Sequence, residues 1–232
     1  MVAELRPGNR VLAALSPKVY RRIANGLEQV ELEFDHVLFE PGDAIGQVYF
    51  PNDCLVSLLA AAGDGEPLEV GMVGREGMVG VPVALGRASS PVLVLVQGAG
   101  SAMRMSAGRF AAELEQHASL RRQVDGCIYV AMSTAMQIAA CNRSHPLAQR
   151  LARWLLMVRD RVGRNEFPLT QEFLARMLGV RRAGVTEAAG ELQRRELIRY
   201  SRGNVTLLDV QGVRAASCAC YRVIRRLEKG AR

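Results

Sequence analysis

The sequence predicts an α+β chain with an N-terminal antiparallel β-domain, a long helix and a C-terminal winged helix-turn-helix. Three observations carry that expectation. Short β-rich runs separated by turn residues fill 27–109. A seven-residue repeat of small and β-branched side chains runs through 119–141. Residues 169–208, LTQEFLARMLGVRRAGVTEAAGELQRRELIRYSRGNVTLL, have the spacing of two short helices, a tight turn and a two-stranded wing.

Composition narrows the partners. The chain has 232 residues, 49% of them hydrophobic, enough for the cores of one large or two small domains. Its charge is uneven. Residues 143–232 hold 19 Lys and Arg against 8 Asp and Glu, a net of +11, whereas 1–142 hold 11 against 15, a net of −4. A basic excess confined to one half is the footprint of a phosphate-binding surface. The five cysteines (Cys54, Cys127, Cys141, Cys218, Cys220) are odd in number, and MVAELRPGNR lacks the charged-then-apolar layout of a signal segment. No disulfide framework is expected, and a reducing cytoplasm is. Every apolar run is broken by Gly, Pro or charge before reaching the length of a membrane span, so no membrane partner is expected.

Taken in order, Leu12, Leu15, Val19 and Ile23 recur at helical spacing, with Ser16-Pro17 restarting the helix. The β-rich runs are punctuated by Pro41-Gly42-Asp43, Pro51-Asn52-Asp53, Gly63-Asp64-Gly65 and Gly98-Ala99-Gly100, the rhythm of an antiparallel sandwich or barrel. Between Gly71 and Gly86 a glycine-rich interval reads as a loop, a tight turn or a helix start near a binding cavity. A helix begins near Phe110, and the longest helix covers Ser119 to Cys141. On it Val124, Ala131 and Ile138 repeat at seven residues, Cys127, Thr134 and Cys141 fill the alternate seam, and Ile128 and Ala135 lie beside it. That stripe lets an identical helix approach closely, predicting a homodimer. Residues 142–146 should break this helix, with Ser144 capping the next and Pro146 in its first turn. Leu147, Leu151, Trp154, Leu155 and Val158 then form a core-facing helix, ended within 163–168. A final helix starts at Asp209, with Val213, Ala216, Cys220, Val223 and Leu227 along one side.

In the 169–208 stretch Thr170 is positioned as an N-cap and Glu172 meets the free N–H groups of the first turn. Leu174, Leu178, Val180, Val185, Ala188 and Leu192 face inward, and Gly179 stands where the chain must reverse with positive φ. The DNA-contacting set is then Thr170 and Gln171 on the first helix, Arg181, Arg182, Gly184, Thr186 and Glu187 on the second, and Arg202 at the wing turn. The partner so implied is a double-stranded operator. Domains of 1–116, 117–143 and 144–232 follow: β-domain, dimerisation helix with hinge, and DNA-binding domain.

This order of parts, with the motif TQEFLARMLGV–RRAGVTEAAGELQRRELIRYSRG and the PGD turn, resembles the Crp/Fnr family of bacterial transcription regulators over nearly the whole chain. The resemblance implies a jelly-roll, cyclic-nucleotide-binding-like sensor domain, a homodimer, ligand-driven reorientation of the DNA-binding pair, and RNA polymerase as a partner. It also marks departures. Cyclic-nucleotide members place Gly-Glu and then Arg-Ser around the ligand. Here the loop reads Val79-Gly80-Val81 and the later pair is Ser89-Ser90, with Arg87 the nearby guanidinium that a shifted register offers. Ala135-Met136 replaces an adenine-reading Thr-Ser pair. On the recognition helix Arg182 matches the family's first Arg, while Ala183 and Glu187 stand where Glu and a second Arg are found. Iron–sulfur members use clustered N-terminal cysteines, and this chain has none before Cys54. His36, His117 and His145 read as ordinary surface or hinge residues rather than haem ligands.

No cofactor is therefore expected, and the effector is left open. Nor is a metal expected: Cys218 and Cys220, two apart on one helix, would point away from each other and need outside ligands. A thiol redox role for Cys127 and Cys141 on the dimer seam stays open. Two other functions compete. A cupin-like β-barrel enzyme would need a metal-ligand cluster, nucleophile elbow or phosphate loop, and the β-region shows none, so no catalytic residue is assigned. A regulator acting only through protein partners would not need the +11 half.

Overall fold

The computed structural model describes residues 7–61 and 67–230. The expected Gly63-Asp64-Gly65 turn and the first residues of the N-terminus lie outside the described residues. The chain divides into two compact units, residues 1–58 with 72–132 and residues 59–71 with 133–229.

The first unit opens with α1 (Arg10–Ala13) and α2 (Pro17–Ala24), restarted as expected by Ser16, whose side chain accepts from the Val19 N–H. One antiparallel sheet has the order β1-β7-β3, from Glu28–Leu32, Gly100–Ser106 and Gln47–Pro51. A second has the order β2-β6-β4-β5, from Val37–Phe39, Leu93–Gly98, Leu55–Ala60 and Leu68–Val73. Strands β4 and β5 cross the unit boundary, so the far end of their hairpin counts with the second unit. Short helix α3 (Val81–Ala84) follows an isolated bridge between Val79 and Tyr49. α4 (Ala107–Gln116) is capped by Ser106. Phe50, Phe110, Leu12, Val48, Leu120 and Val124 close one apolar cluster, Phe50 and Phe110 meeting edge to face.

Helix α5 (Ala118–Ser144) runs farther than expected, through residues 142–144. Ser144 is therefore the last helical residue and not a cap. The break falls at His145-Pro146, because proline disfavours helical geometry in the residue before it. α5 also corrects the membrane reading. It is long and apolar enough, by length and composition, to cross a membrane, where no apolar stretch of that length was expected.

The second unit continues with α6 (Leu147–Val162), closed by Gly163 in left-handed conformation. α7 (Gln171–Leu178), α8 (Arg182–Arg194), β9 (Ile198–Ser201) and β10 (Asn204–Leu207) fall where the sequence puts them. A strand unforeseen in the sequence, β8 (Glu166–Pro168), pairs with β10 and makes the wing three-stranded, in the order β8-β10-β9. At three residues, with Pro168 as an end, it is too short for its periodicity to register. The expected final helix is two, α9 (Val210–Ala216) and α10 (Cys220–Gly230), interrupted at 217–219.

Candidate nucleic-acid interface

The interface is built on a buried core. Leu174, Leu178, Val185, Ala188, Leu192, Leu151, Trp154 and Leu155 are all buried; α6 is buried along the whole of 151–158, and α7 and α8 turn their opposite faces to solvent. Thr170 Oγ1 accepts from the Phe173 N–H at 3.1 Å, capping α7. Gly179 has φ 62°, and the Val180 N–H reaches back to the Ala175 carbonyl at 3.0 Å, which turns the chain into α8. Arg150 Nη2 donates to the Leu178 carbonyl at 2.6 Å, satisfying one of the groups left open at the end of α7. Gly184 is half-buried, and a Cβ there would stand 3.2 Å from Leu147 Cδ2. It stands where α8 passes close to α6.

The other members of the DNA-contacting set lie together. Thr170, Arg181, Arg182, Thr186, Glu187 and Arg202 are exposed. Gln171 is half-buried, and its side chain accepts from the Thr186 hydroxyl at 2.9 Å, tying the start of α7 to the first turns of α8. Arg181 is the N-cap residue of α8 and Arg182 its first residue, so two guanidinium groups sit at the helix end that enters a groove in such motifs. The wing turn has positive φ at both central residues, Arg202 at 51° and Gly203 at 75°, the geometry that joins twisted antiparallel strands in two residues. Tyr200 Oη donates to the Leu169 carbonyl at 2.7 Å, anchoring the wing beside α7, and burial pushes its pKa up to about 12. Residues 149–216 match the family model of the Crp-like helix-turn-helix domain.

The family likeness is carried by this segment. Solved structures extend the likeness to the fold of the whole chain. A Crp/Fnr-family transcriptional regulator from Eubacterium rectale matches with TM-score 0.70 and 16% identity, over 90% of this chain and 98% of that one. FixK2 from Bradyrhizobium japonicum gives 0.70 and 13%, over 83% and 98%. The c-di-GMP-responsive global regulator CLP from Xanthomonas campestris gives 0.68 and 17%, over 83% and 99%. No curated protein sequence matches the chain significantly. The Crp/Fnr fold is thus shared at sequence distances where only packing is preserved.

Around the Crp-like domain, two features hold it to its unit. Trp154 Nε1 donates to the carboxylate of Glu69 at 2.8 Å, both side chains being buried. On the other side Arg161 Nη2 and Arg225 Nη1 each stand 2.7 Å from Glu228, and Arg225 and Tyr221 reach Asp160, fixing α10 on α6.

The expected effector residues are differently disposed. Val79 is buried and bridged to Tyr49; Gly80 caps α3 and Val81 begins it. Ser89 is exposed and Ser90 buried, its hydroxyl donating to the Val92 carbonyl at 2.7 Å. Phe39, Tyr49, Val56, Val79, Val94 and Val96 form one buried apolar cluster of the β-domain.

Three residues of the expected dimer seam are taken up inside the chain. Val124, Thr134 and Ile138 are buried within the chain, Cys127, Ile128 and Ala135 are half-buried, and Ala131 alone of the set is exposed. The large apolar residues that α5 leaves in solvent are Tyr129, Met132 and Met136. They lie about 100° around the helix, one residue on. A heptad stripe shows that a helix face is packed without showing which neighbour packs it. Cys127 and Cys141 leave the exposed surface with the seam; burial pushes Cys127 up to about 12, so little thiolate forms at neutral pH.

Cys218 and Cys220 depart most from expectation. Because α9 ends at Ala216, Cys218 precedes α10 and Cys220 starts it, and both side chains turn to one place instead of opposite faces. There Cys141 Sγ lies 3.5 Å from Cys218 Sγ, and Cys220 Sγ lies 3.7 Å from His145 Nδ1. The contact between the first two thiols raises Cys141 to about 12 and lowers Cys218. An Asp209 N-cap, a helix break and a turn are hard to separate from one amphipathic helix by periodicity, so this convergence was hidden in the sequence.

Proposed function

We propose that the chain is a homodimeric, sequence-specific transcription regulator of the Crp/Fnr type that binds a double-stranded operator and works with RNA polymerase in the cytoplasm. The observation that carries this reading is the exposed pair Arg181 and Arg182 at the start of α8, beside the wing Arg202, on the half of the chain with net charge +11. Arg182 is the base reader, since its fork matches guanine O6 and N7 in the major groove. Arg202 contacts phosphate. Replacing Arg182 by alanine should weaken operator binding by about 1–3 kcal/mol and relax preference at one base pair. Arg202→Ala should weaken all duplexes alike and reduce the salt slope. Fluorescence anisotropy on specific and random duplexes at several salt concentrations separates the two; equal losses on both DNAs for both variants would refute the assignment.

The dimer face in this reading is the Tyr129, Met132 and Met136 stripe. Support comes from α5 itself, since only 22% of its most apolar window is buried inside the chain. Apolar surface on that scale calls for a cover, and a two-fold partner helix supplies one.

The β-domain senses something other than cyclic AMP or cyclic GMP. A cyclic phosphate leaving water needs an opposing guanidinium, and Ser89-Ser90 offers none, while Val81 cannot accept from a ribose hydroxyl. Isothermal titration at physiological nucleotide levels should show no saturable heat. Micromolar binding with tightened operator affinity would contradict this part of the reading.

A further inference from the structure

We propose that Cys141, His145, Cys218 and Cys220 form a closed, tetrahedral binding site for a single zinc ion. Cys141 and His145 are four residues apart at the end of α5, hence on one side of the chain, and Cys218 and Cys220 flank the break between α9 and α10. All four ligand atoms lie within 4.8 Å of one another, and the three cysteines are buried. A tetrahedral ion with metal–sulfur bonds of about 2.3 Å and metal–nitrogen bonds of about 2.0–2.1 Å places its ligand sulfurs about 3.8 Å apart and a sulfur and nitrogen about 3.6 Å apart. The observed 3.5 Å between Cys141 and Cys218 and 3.7 Å between Cys220 and His145 meet that geometry with little movement.

The chemistry of the donors selects the ion. Three thiolates and an imidazole in a tetrahedron are a zinc set, and the absence of an oxygen donor from these four disfavours magnesium and calcium. An iron–sulfur cluster would spread the ligands over several iron atoms, wider than this constellation. With all four positions supplied by the protein, the site is structural rather than catalytic.

The surroundings answer its charge. Zinc with three thiolates carries one net negative charge. Arg153 is 2% exposed, has no carboxylate partner among the described residues, and has a buried Nε without a hydrogen bond. Its charge acts on both Cys141 and Cys218. A buried guanidinium without a counterion is costly, and the anionic zinc centre supplies the counterion. Gln137 Nε2 lies 3.1 Å from Cys220 Sγ, placed to donate an N–H to a bound thiolate. Uptake of Zn²⁺ releases the thiol protons of Cys141, Cys218 and Cys220 to solvent, with no electron transferred.

The test uses the full-length chain purified without chelators under reducing conditions. Elemental analysis is expected to give one zinc per chain. Replacing it with Co²⁺ should produce a thiolate-to-cobalt charge-transfer band and tetrahedral d–d bands that saturate at one equivalent. Cys220→Ser and His145→Ala should lose stoichiometric binding, Gln137→Leu should weaken it by about 10–100-fold, and Cys127→Ser should leave it unchanged. Because a ligand variant can fail to fold, the wild-type cobalt spectrum stands as the independent readout. A wild-type chain that holds no zinc and gives no thiolate–cobalt band overturns the proposal. So does an iron–sulfide chromophore at these cysteines, or a Cys141–Cys218 disulfide as the sole product.

Discussion

Replacing Glu228 by alanine is expected to cost the chain about 3–5 kcal/mol of stability, the range for breaking a buried ion pair from one side. Glu228 and Arg161 both have side chains only 5% exposed, and their 2.7 Å contact joins α10 to α6. The second carboxylate oxygen receives Arg225 at 2.7 Å, so one substitution removes a carboxylate from two guanidinium groups. Arg161 keeps its bond to the Met157 carbonyl at 3.1 Å, which limits the loss but does not neutralise the charge. Glu228→Gln retains an acceptor and should cost less. Urea unfolding of the three chains gives the comparison. A loss for alanine below about 1 kcal/mol would mean that the pair behaves as a solvated surface bridge.

A Met132→Glu chain is expected to be monomeric by light scattering and to lose about 10²–10⁴ of its operator affinity, the advantage that linking two half-site readers confers. Met132 is 55% exposed on α5, between Tyr129 and Met136, so the new carboxylate should not disturb the folded protomer. Across a two-fold axis it would meet its own copy, and two like charges removed from water repel strongly. Ala131, the centre of the face first expected from the heptads, is adjacent in sequence but points elsewhere. A Met132→Glu chain that stays dimeric with unchanged DNA affinity would place the interface on another surface.

Much of this architecture was legible in the residues. Thr170, Gly179 and the Arg202-Gly203 turn each have a local physical reason, a cap or a positive φ, and the structure has all three in place. Local rules are read locally. What the sequence hid depends on tertiary neighbours. Val124 and Ile138 obey the heptad, yet they are packed by their own chain. Gly184 sits within the recognition helix, yet it also lies close to the side chain of Leu147. The cysteines at 141, 218 and 220 meet only because α9 stops at Ala216, one short interruption in a stretch whose apolar spacing suggests a single helix.

Reading of a particular DNA sequence by α8 and the wing of a dimer is the core of the proposed function. Its most direct measurement is selection of duplexes from a random pool by the full-length wild-type chain, with affinities then measured across a range of salt. The expected result is an enriched two-fold symmetric sequence with half-site centres about 34–36 Å apart, one helical turn. Binding to it should exceed binding to random duplex by about 10³–10⁷. A pool that remains random after repeated rounds, with equal affinity for every duplex tested, would contradict it.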